Sequence, residues 1–204
     1  MPTPGEGRTV DVCAGCEVDC CSHHVLPLSV EDAYAIRIAL NLPFEAFATL
    51  VPYPNGAPTW PVRLARGKAL LALRRRRQSC LFLLRIGGQR RCAIHGVRPM
   101  ACRLFPFLPD ATAQRNAPEG MLAQRVPSEC PWCWPRTGQA AAELDRLIVD
   151  NARRLDVDTT VLRTWHRQLD LPHQPRSFFR FLDEEMARRA AGDSGPGRWK
   201  TSLW

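Results

Sequence analysis

Cys13, Cys16, Cys20 and Cys21 fall within nine residues of this 204-residue chain. A core seldom needs four thiols in so short a stretch, and adjacent cysteines make a poor disulfide because their Cβ vectors diverge. Thiolates at these intervals suit a metal ion, since Cys-x-x-Cys can bring two sulfurs to one ion within a single turn. Cys20 follows Cys16 by four residues, so a helical turn would place it on the same face. Cys21 then points elsewhere, either toward a second metal or closing the site from a kinked backbone. Five more cysteines follow: Cys80, Cys92, Cys102, Cys130 and Cys133.

An odd total of nine cysteines fits a disulfide scaffold poorly. The first eight residues hold no apolar segment of the signal-peptide kind, and no apolar run nears the roughly 18 residues of a membrane span. Both points lead to the expectation of a reducing, cytoplasmic setting in which thiols stay available to metal. With 45% hydrophobic residues a sizeable core is within reach, so metal need not be all that holds the fold.

The formal charge is +8, and its distribution says more than its size. Residues 46–109 contain no Asp or Glu but twelve basic side chains: Arg63, Arg66, Lys68, Arg74, Arg75, Arg76, Arg77, Arg85, Arg90, Arg91, Arg98 and Arg103. Outside that span, sixteen basic against twenty acidic residues leave −4. Three readings follow. Only two of the 28 basic residues are lysines, so coding bias explains part of the arginine excess. Arginines can also compensate a metal–thiolate centre, whose own charge is negative. A third reading is docking to an acidic protein partner or protein substrate; nucleic acid is disfavoured because aromatics do not interleave the basic run.

These chemical groups need elements to position them. Residues 1–28 read as irregular. Residues 29–40 read as a helix with Ser29 as N-cap and two acids in its first turn. Pro43 opens a second short helix through residue 50, and 51–61 is too rich in Pro, Asn and Gly for a regular element. From 62 to 77, basic residues alternate with leucine and alanine as in an amphipathic helix broken near Gly67. Residues 79–86 and 89–94, flanking Gly87-Gly88, read as a β-hairpin. Its register bears on the chemistry. A two-residue loop pairs Leu83 with Cys92 and leaves Cys80 on the opposite face, whereas an odd loop puts both sulfurs on one face. If both serve one site, an odd loop or bulge is expected. Residues 110–128 read as a loop. Three apolar stripes then mark core helices: Leu144, Leu147, Ile148, Leu155; Val157, Val161, Leu162, Trp165, Leu169; and Phe178, Phe179, Leu182, Met186.

The second thiol group sits in a distinctive string, Cys92-Ala-Ile-His-Gly-Val-Arg98-Pro99-Met-Ala-Cys102-Arg103-Leu-Phe105-Pro106-Phe107. Together with the leading Cys-x-x-Cys-x-x-x-Cys-Cys and the Cys-x-Phe-Leu of residues 80–83, this string resembles the CxxCxxxCC (YkgJ-type) family of bacterial cysteine-cluster proteins that chelate zinc or iron. Flagellin lysine methylases look like distant relatives. The resemblance spans about residues 13–133 and implies a metal set of Cys13, Cys16, Cys20, Cys21, Cys80, Cys92, Cys102 and Cys130. His95 stands where the family usually has Tyr, and Asp19 where many members have Gly before the paired cysteines.

Eight thiolates satisfy two tetrahedral zinc sites, or one polynuclear iron–sulfur cluster with ligands to spare. Arg98 and Arg103 are candidates for hydrogen-bonding the cofactor or for holding backbone, and Pro99 for starting a helical turn that aims Cys102. His23, His24, His95 and Cys133 are candidate ligands with bland alternatives as loop or core residues. No nucleophile–base pair, phosphate loop or His-Glu-x-x-His appears, so hydrolase chemistry lacks support and an enzymatic role is undecided. The expected protein is mixed α+β and mostly helical. Residues 1–135 form a cysteine-rich metal-binding region with a short β-hairpin, residues 136–191 pack helices against it, and 192–204 form a flexible tail. The expected cofactor is an iron–sulfur cluster or zinc/iron ions, serving redox chemistry, metal handling or cluster-dependent protein modification. The alternative is a metal-stapled binding module whose basic middle segment docks an acidic protein or nucleic acid.

Overall fold

The computed structural model describes residues 20–53, 60–104, 139–168 and 173–192, with backbone alone at 20, 23 and 139–141. The chain is mixed helix and strand, with small antiparallel sheets and long C-terminal helices. It opens with one helical turn, α1 (Cys20–His23), inside the stretch expected to be irregular. Helix α2 (Val30–Leu40) follows the sequence reading. Ser29 Oγ accepts the Asp32 N–H at 3.0 Å and the Asp32 carboxylate accepts the Ser29 N–H at 3.3 Å, a reciprocal capping box. Asn41, in the left-handed region at φ 51°, ends the helix.

After α2 the structure departs from two helical expectations. Helix α3 covers only Phe44–Phe47, and Ala48 already begins strand β1 (Ala48–Pro52). The supposed amphipathic helix over 62–77 is a hairpin, β2 (Val62–Leu64) and β3 (Gly67–Leu73), closed by Ala65-Arg66 with Gly67 at φ +123°. A short apolar run such as Leu70-Leu71-Ala72-Leu73 fits a helix or a strand buried on both faces equally well. Here the second holds: residues 69–73 are all buried because β3 is the centre of the sheet β1-β3-β2. Residues 26–28 run beside it, with the Leu28 N–H on the Leu71 carbonyl and the Leu73 N–H on the Leu26 carbonyl, each at 2.9 Å.

Strands β4 (Arg75–Arg76) and β5 (Ser79–Cys80) make a two-residue ladder. Strands β6 (Leu83–Ile86) and β7 (Gln89–Cys92) make the expected hairpin around Gly87 and Gly88, both at positive φ. The loop is even: Leu83 pairs Cys92 and Ile86 pairs Gln89. The odd loop expected for a shared site is therefore absent. A 3-10 turn (His95–Val97) leads to α4 (Met100–Leu104), which starts just after Pro99 as anticipated.

The first two C-terminal stripes belong to one helix, α5 (Gln139–His166), and the third to α6 (Pro175–Ala190). The N-terminal half of α5 packs Leu144, Leu147 and Ile148 on Met100 and Leu104 of α4. Its C-terminal half enters the main core, where Val161, Leu162 and Trp165 meet Phe178, Phe181 and Leu182 of α6 and Phe44 and Phe47 of α3. Trp165 is fully buried, with ring centroids 5.5 Å from Phe178 and 5.3 Å from Phe181, and its Nε1–H donates to the Arg63 carbonyl at 2.9 Å. That bond fastens α5 to β2. The expected loop 110–128, the tail from 193 and Leu169 lie outside the described residues.

Trp165 joins core filling to an inter-element hydrogen bond, so Trp165→Ala should cost about 3–5 kcal/mol. Urea unfolding followed by circular dichroism measures it; a loss under about 1 kcal/mol would mean the core closes without it.

Candidate metal centre

Helix α1 is pinned over β5. Ser22 Oγ lies 3.2 Å from Ser79 Oγ, and the Arg75 guanidinium donates Nη1–H to the His24 carbonyl and Nη2–H to the Ser22 carbonyl. Arg75 pairs with Cys80 across the β4–β5 ladder, so one side chain ties the end of α1 to the strand carrying a thiol. This brings Cys21 into the neighbourhood of Cys80. The Cys13 and Cys16 side chains and that of Cys20, from which Cys21 is expected to point away, lie outside the described residues.

Four thiols from four elements then act on one another: Cys21 (α1), Cys80 (β5), Cys92 (β7) and Cys102 (α4). Burial pushes the Cys80 thiol up to about 11, a backbone hydrogen bond from Phe82 lowers it, Cys21 and Cys92 raise it further, and Arg75 pulls it down. Burial also drives Cys102 far above the usual thiol range, with Cys80, Cys21 and Cys92 each adding to the rise and Arg98 opposing it. Cys80 is 8% exposed, and the other three are half-buried.

The even hairpin loop does not keep Cys80 from this group. Leu81 and Phe82 form a turn between β5 and β6, and the Ala93 N–H donates to the Phe82 carbonyl at 2.9 Å. The alternation of faces is broken at that turn, so a parity argument that treats residues 79–86 as one strand does not apply. Cys102 arrives through α4, where the Cys102 and Arg103 N–H groups donate to the Pro99 carbonyl at 2.9 and 3.1 Å. Pro99 thus does orient the turn. Arg98 is half-buried and acts on Cys102, whereas Arg103 is exposed in the last turn of α4. Arg75 was hidden from sequence reading by its place in a run of four arginines; its offset of five from Cys80 was the one available hint.

Cys13, Cys16, Cys130 and Cys133 lie outside the described residues, as do the side chains of Cys20 and His23. Among the described residues, no three His, Cys, Asp or Glu side chains stand in an arrangement ready to hold a metal ion. His24 and His95 are exposed and bring no such group into being. The donor chemistry nonetheless suits zinc or iron: the neighbouring groups are all soft sulfur, and a bound cation opposes the desolvation and mutual repulsion that keep their protons on. Cys21, Cys80, Cys92 and Cys102 are the described residues that would supply thiolates.

Cys21 of the leading cluster, Cys80, Cys92 at the end of the hairpin and Cys102 after the Arg-Pro turn are thus electrostatic neighbours in the fold. Residues 12–131 match the model of the CxxCxxCC family, described as "Putative zinc- or iron-chelating domain", and the chain belongs to that family. Its own second gap has three residues, Glu17 to Asp19, against the two in the family's name. No curated protein and no solved structure matches the chain.

With its pKa raised, Cys80 holds its proton in the folded chain after the unfolded chain has released it. Stability of the metal-free protein should therefore fall as pH rises from about 9 toward 11. Rates of Cys80 alkylation against pH, read by mass spectrometry, should show a midpoint near 11. A midpoint at the ordinary thiol value would remove the desolvated group from the site.

Proposed function

We propose that this chain binds zinc or iron through cysteine thiolates, with Cys13, Cys16, Cys20 and Cys21 supplying one half of the ligand set and Cys80, Cys92, Cys102 and Cys130 the other. One observation carries the reading: Cys21 of the leading cluster is within electrostatic reach of Cys80 and Cys102 across some 60 to 80 residues of sequence. Family membership supports zinc or iron chelation. The finer reading is an iron–sulfur cluster, supported by the irregular Cys-x-x-Cys-x-x-x-Cys-Cys spacing, which differs from paired zinc-ribbon knuckles, and by thiolate clusters drawn from a close run plus remote cysteines. When bound, the metal would supply Lewis acidity or, as iron, electron transfer.

The protein's own groups do the rest. Arg75 and Arg98 place positive charge beside Cys80 and Cys102, which favours thiolate over thiol and offsets the net negative charge of a metal–thiolate centre. Burial of Cys80 and partial burial of Cys102 limit water at the sulfurs. Free thiols of this kind need a reducing compartment, in keeping with a cytoplasmic setting. No described helix is long and apolar enough to cross a membrane. The role served, whether redox, metal handling or modification of a protein substrate, follows from which metal is held.

A second reading has its own observation. The β6–β7 hairpin exposes Leu84 and Ile86, at 42% and 58%, on a ribbon that also carries Arg85, Arg90 and Arg91. An acidic protein partner suits that mix of apolar and basic surface. Salt-sensitive retention on heparin would support it, and no retention at low salt would count against it.

Anaerobic purification followed by metal and sulfide analysis tests the main reading. Broad visible absorption with acid-labile sulfide is expected, and Cys80→Ser and Cys102→Ser should each lower metal content. A colourless protein with about two zinc ions would replace iron–sulfur with zinc. Full metal content in either variant would take that cysteine out of the ligand set.

A further inference from the structure

Asp32 is almost fully buried, yet its carboxylate is shared by three helices. Within α2, its Oδ2 accepts the Ser29 N–H at 3.3 Å. The same Oδ2 accepts the Met100 N–H at 3.1 Å, at the first residue of α4. Its Oδ1 accepts Arg154 Nη1–H at 2.9 Å, from the middle of α5. Arg154 is 15% exposed and also bonds Asp150 at 3.0 Å, so its guanidinium is held from both sides. Beside it, Arg153 forks onto the buried Glu31 at 2.8 and 2.9 Å, and the Val30 N–H donates to the buried Asp158 at 2.7 Å. The start of α2 is thus bolted to α5 by a set of bonds between residues about 120 positions apart.

Cys102 is two residues beyond Met100 on the five-residue helix α4. A helix that short has little stability of its own and takes its position from what holds its ends. Its N-terminal amides go to Asp32 and, at Cys102 and Arg103, back to the Pro99 carbonyl. Its apolar side, Met100 and Leu104, rests on Leu144 and Leu147 of α5. Both supports of α4 therefore lead to α5, which lies beyond residue 131, where the family match ends.

We propose that Asp32, held by Arg154, is a positioning residue for the Cys102 sulfur, and that α5 through this relay sets the geometry of the metal donor on α4. This rests on the reading of Cys102 as a ligand. Groups that orient a ligand from behind commonly change metal affinity by about 10- to 100-fold when removed. The relay gives the C-terminal helices a part in metal binding although they contribute no cysteine.

The test uses the full chain, metal-free and zinc-loaded, with Asp32→Asn, Arg154→Gln, the double variant, and Asp183→Asn as a control. Asp183, on α6, pairs with Arg37 of α2 at 2.6 Å, a link between α2 and α6 that does not run through Asp32 or Arg154. Alkylation of Cys102 is read by mass spectrometry as a ratio to Cys80 in the same molecule. In the metal-free chain, Asp32→Asn and Arg154→Gln should each raise that ratio about tenfold, the size expected from losing one hydrogen bond to a charged group. The double variant should add little, because both act on one path, and Asp183→Asn should leave the ratio unchanged. The zinc dissociation constant, by chelator competition, should rise at least about tenfold in both single variants. Arg154→Gln leaves the Ser29–Asp32 capping box intact, so it decides the matter if Asp32→Asn does not fold. An unchanged ratio in Arg154→Gln, or an equal rise in Asp183→Asn, would overturn the relay. If zinc fails to protect Cys102 in the wild-type chain, the ligand assignment falls instead, while the metal-free ratio still judges the relay.

Discussion

Four thiols whose ionisation is opposed by burial and by one another are brought together by contacts from elsewhere in the fold. Cys21, Cys80, Cys92 and Cys102 each sit on an element of two to five residues, and each such element depends on a neighbour for its place. A two-residue ladder holds Cys80, an Arg75 clamp holds α1, and a proline carbonyl with one buried carboxylate holds α4. Short ladders and single turns have low stability alone. The larger apolar core, built from β1–β3, α2, α3, α5 and α6, carries them. Folding therefore buries a group of thiols that keep their protons, chiefly through desolvation, and a bound metal cation would favour their thiolate forms.

The acid-free middle of the chain acquires a finer meaning in this setting. Of its twelve basic residues, Arg75 and Arg98 act on thiols, and both are half-buried. Most of the others, including Arg63, Arg66, Arg74, Arg76, Arg77, Arg85 and Arg91, are exposed. Compensation of the centre thus accounts for a small, identifiable part of the charge. Apart from the half-buried Arg90, the remainder is surface. The buried acids Glu31 and Asp32 at the start of α2 are matched with Arg153 and Arg154 of α5.

What sequence alone could reveal followed from how local each signal is. The α2 cap needed only Ser29 and Asp32, three residues apart, and it was readable. The α6 stripe and the Gly87-Gly88 hairpin were equally local. The β2–β3 hairpin was misread because a doubly buried strand and a helix share the same apolar run, and α3 was overextended for want of a stop signal before Ala48. The register argument about Cys80 and Cys92 was sound for one uninterrupted strand, but the Leu81-Phe82 turn breaks that strand in two. Neither Arg75 over α1 nor the Asp32–Arg154 bond could be read, since partners about 50 and 120 residues apart leave no periodicity. The cysteines were the exception among long-range features, because their chemistry and the family string announced them together.

Sulfur X-ray absorption reports thiolates whatever they bind, but the metal edge asks the sharper question. Extended X-ray absorption fine structure on the full chain, purified without added metal under anaerobic conditions, should show zinc or iron in a shell of sulfur alone. Metal–sulfur distances near about 2.3 Å are the expected value for thiolate ligation. A first shell dominated by oxygen or nitrogen, or a chain that carries no zinc or iron at all, would contradict the central claim.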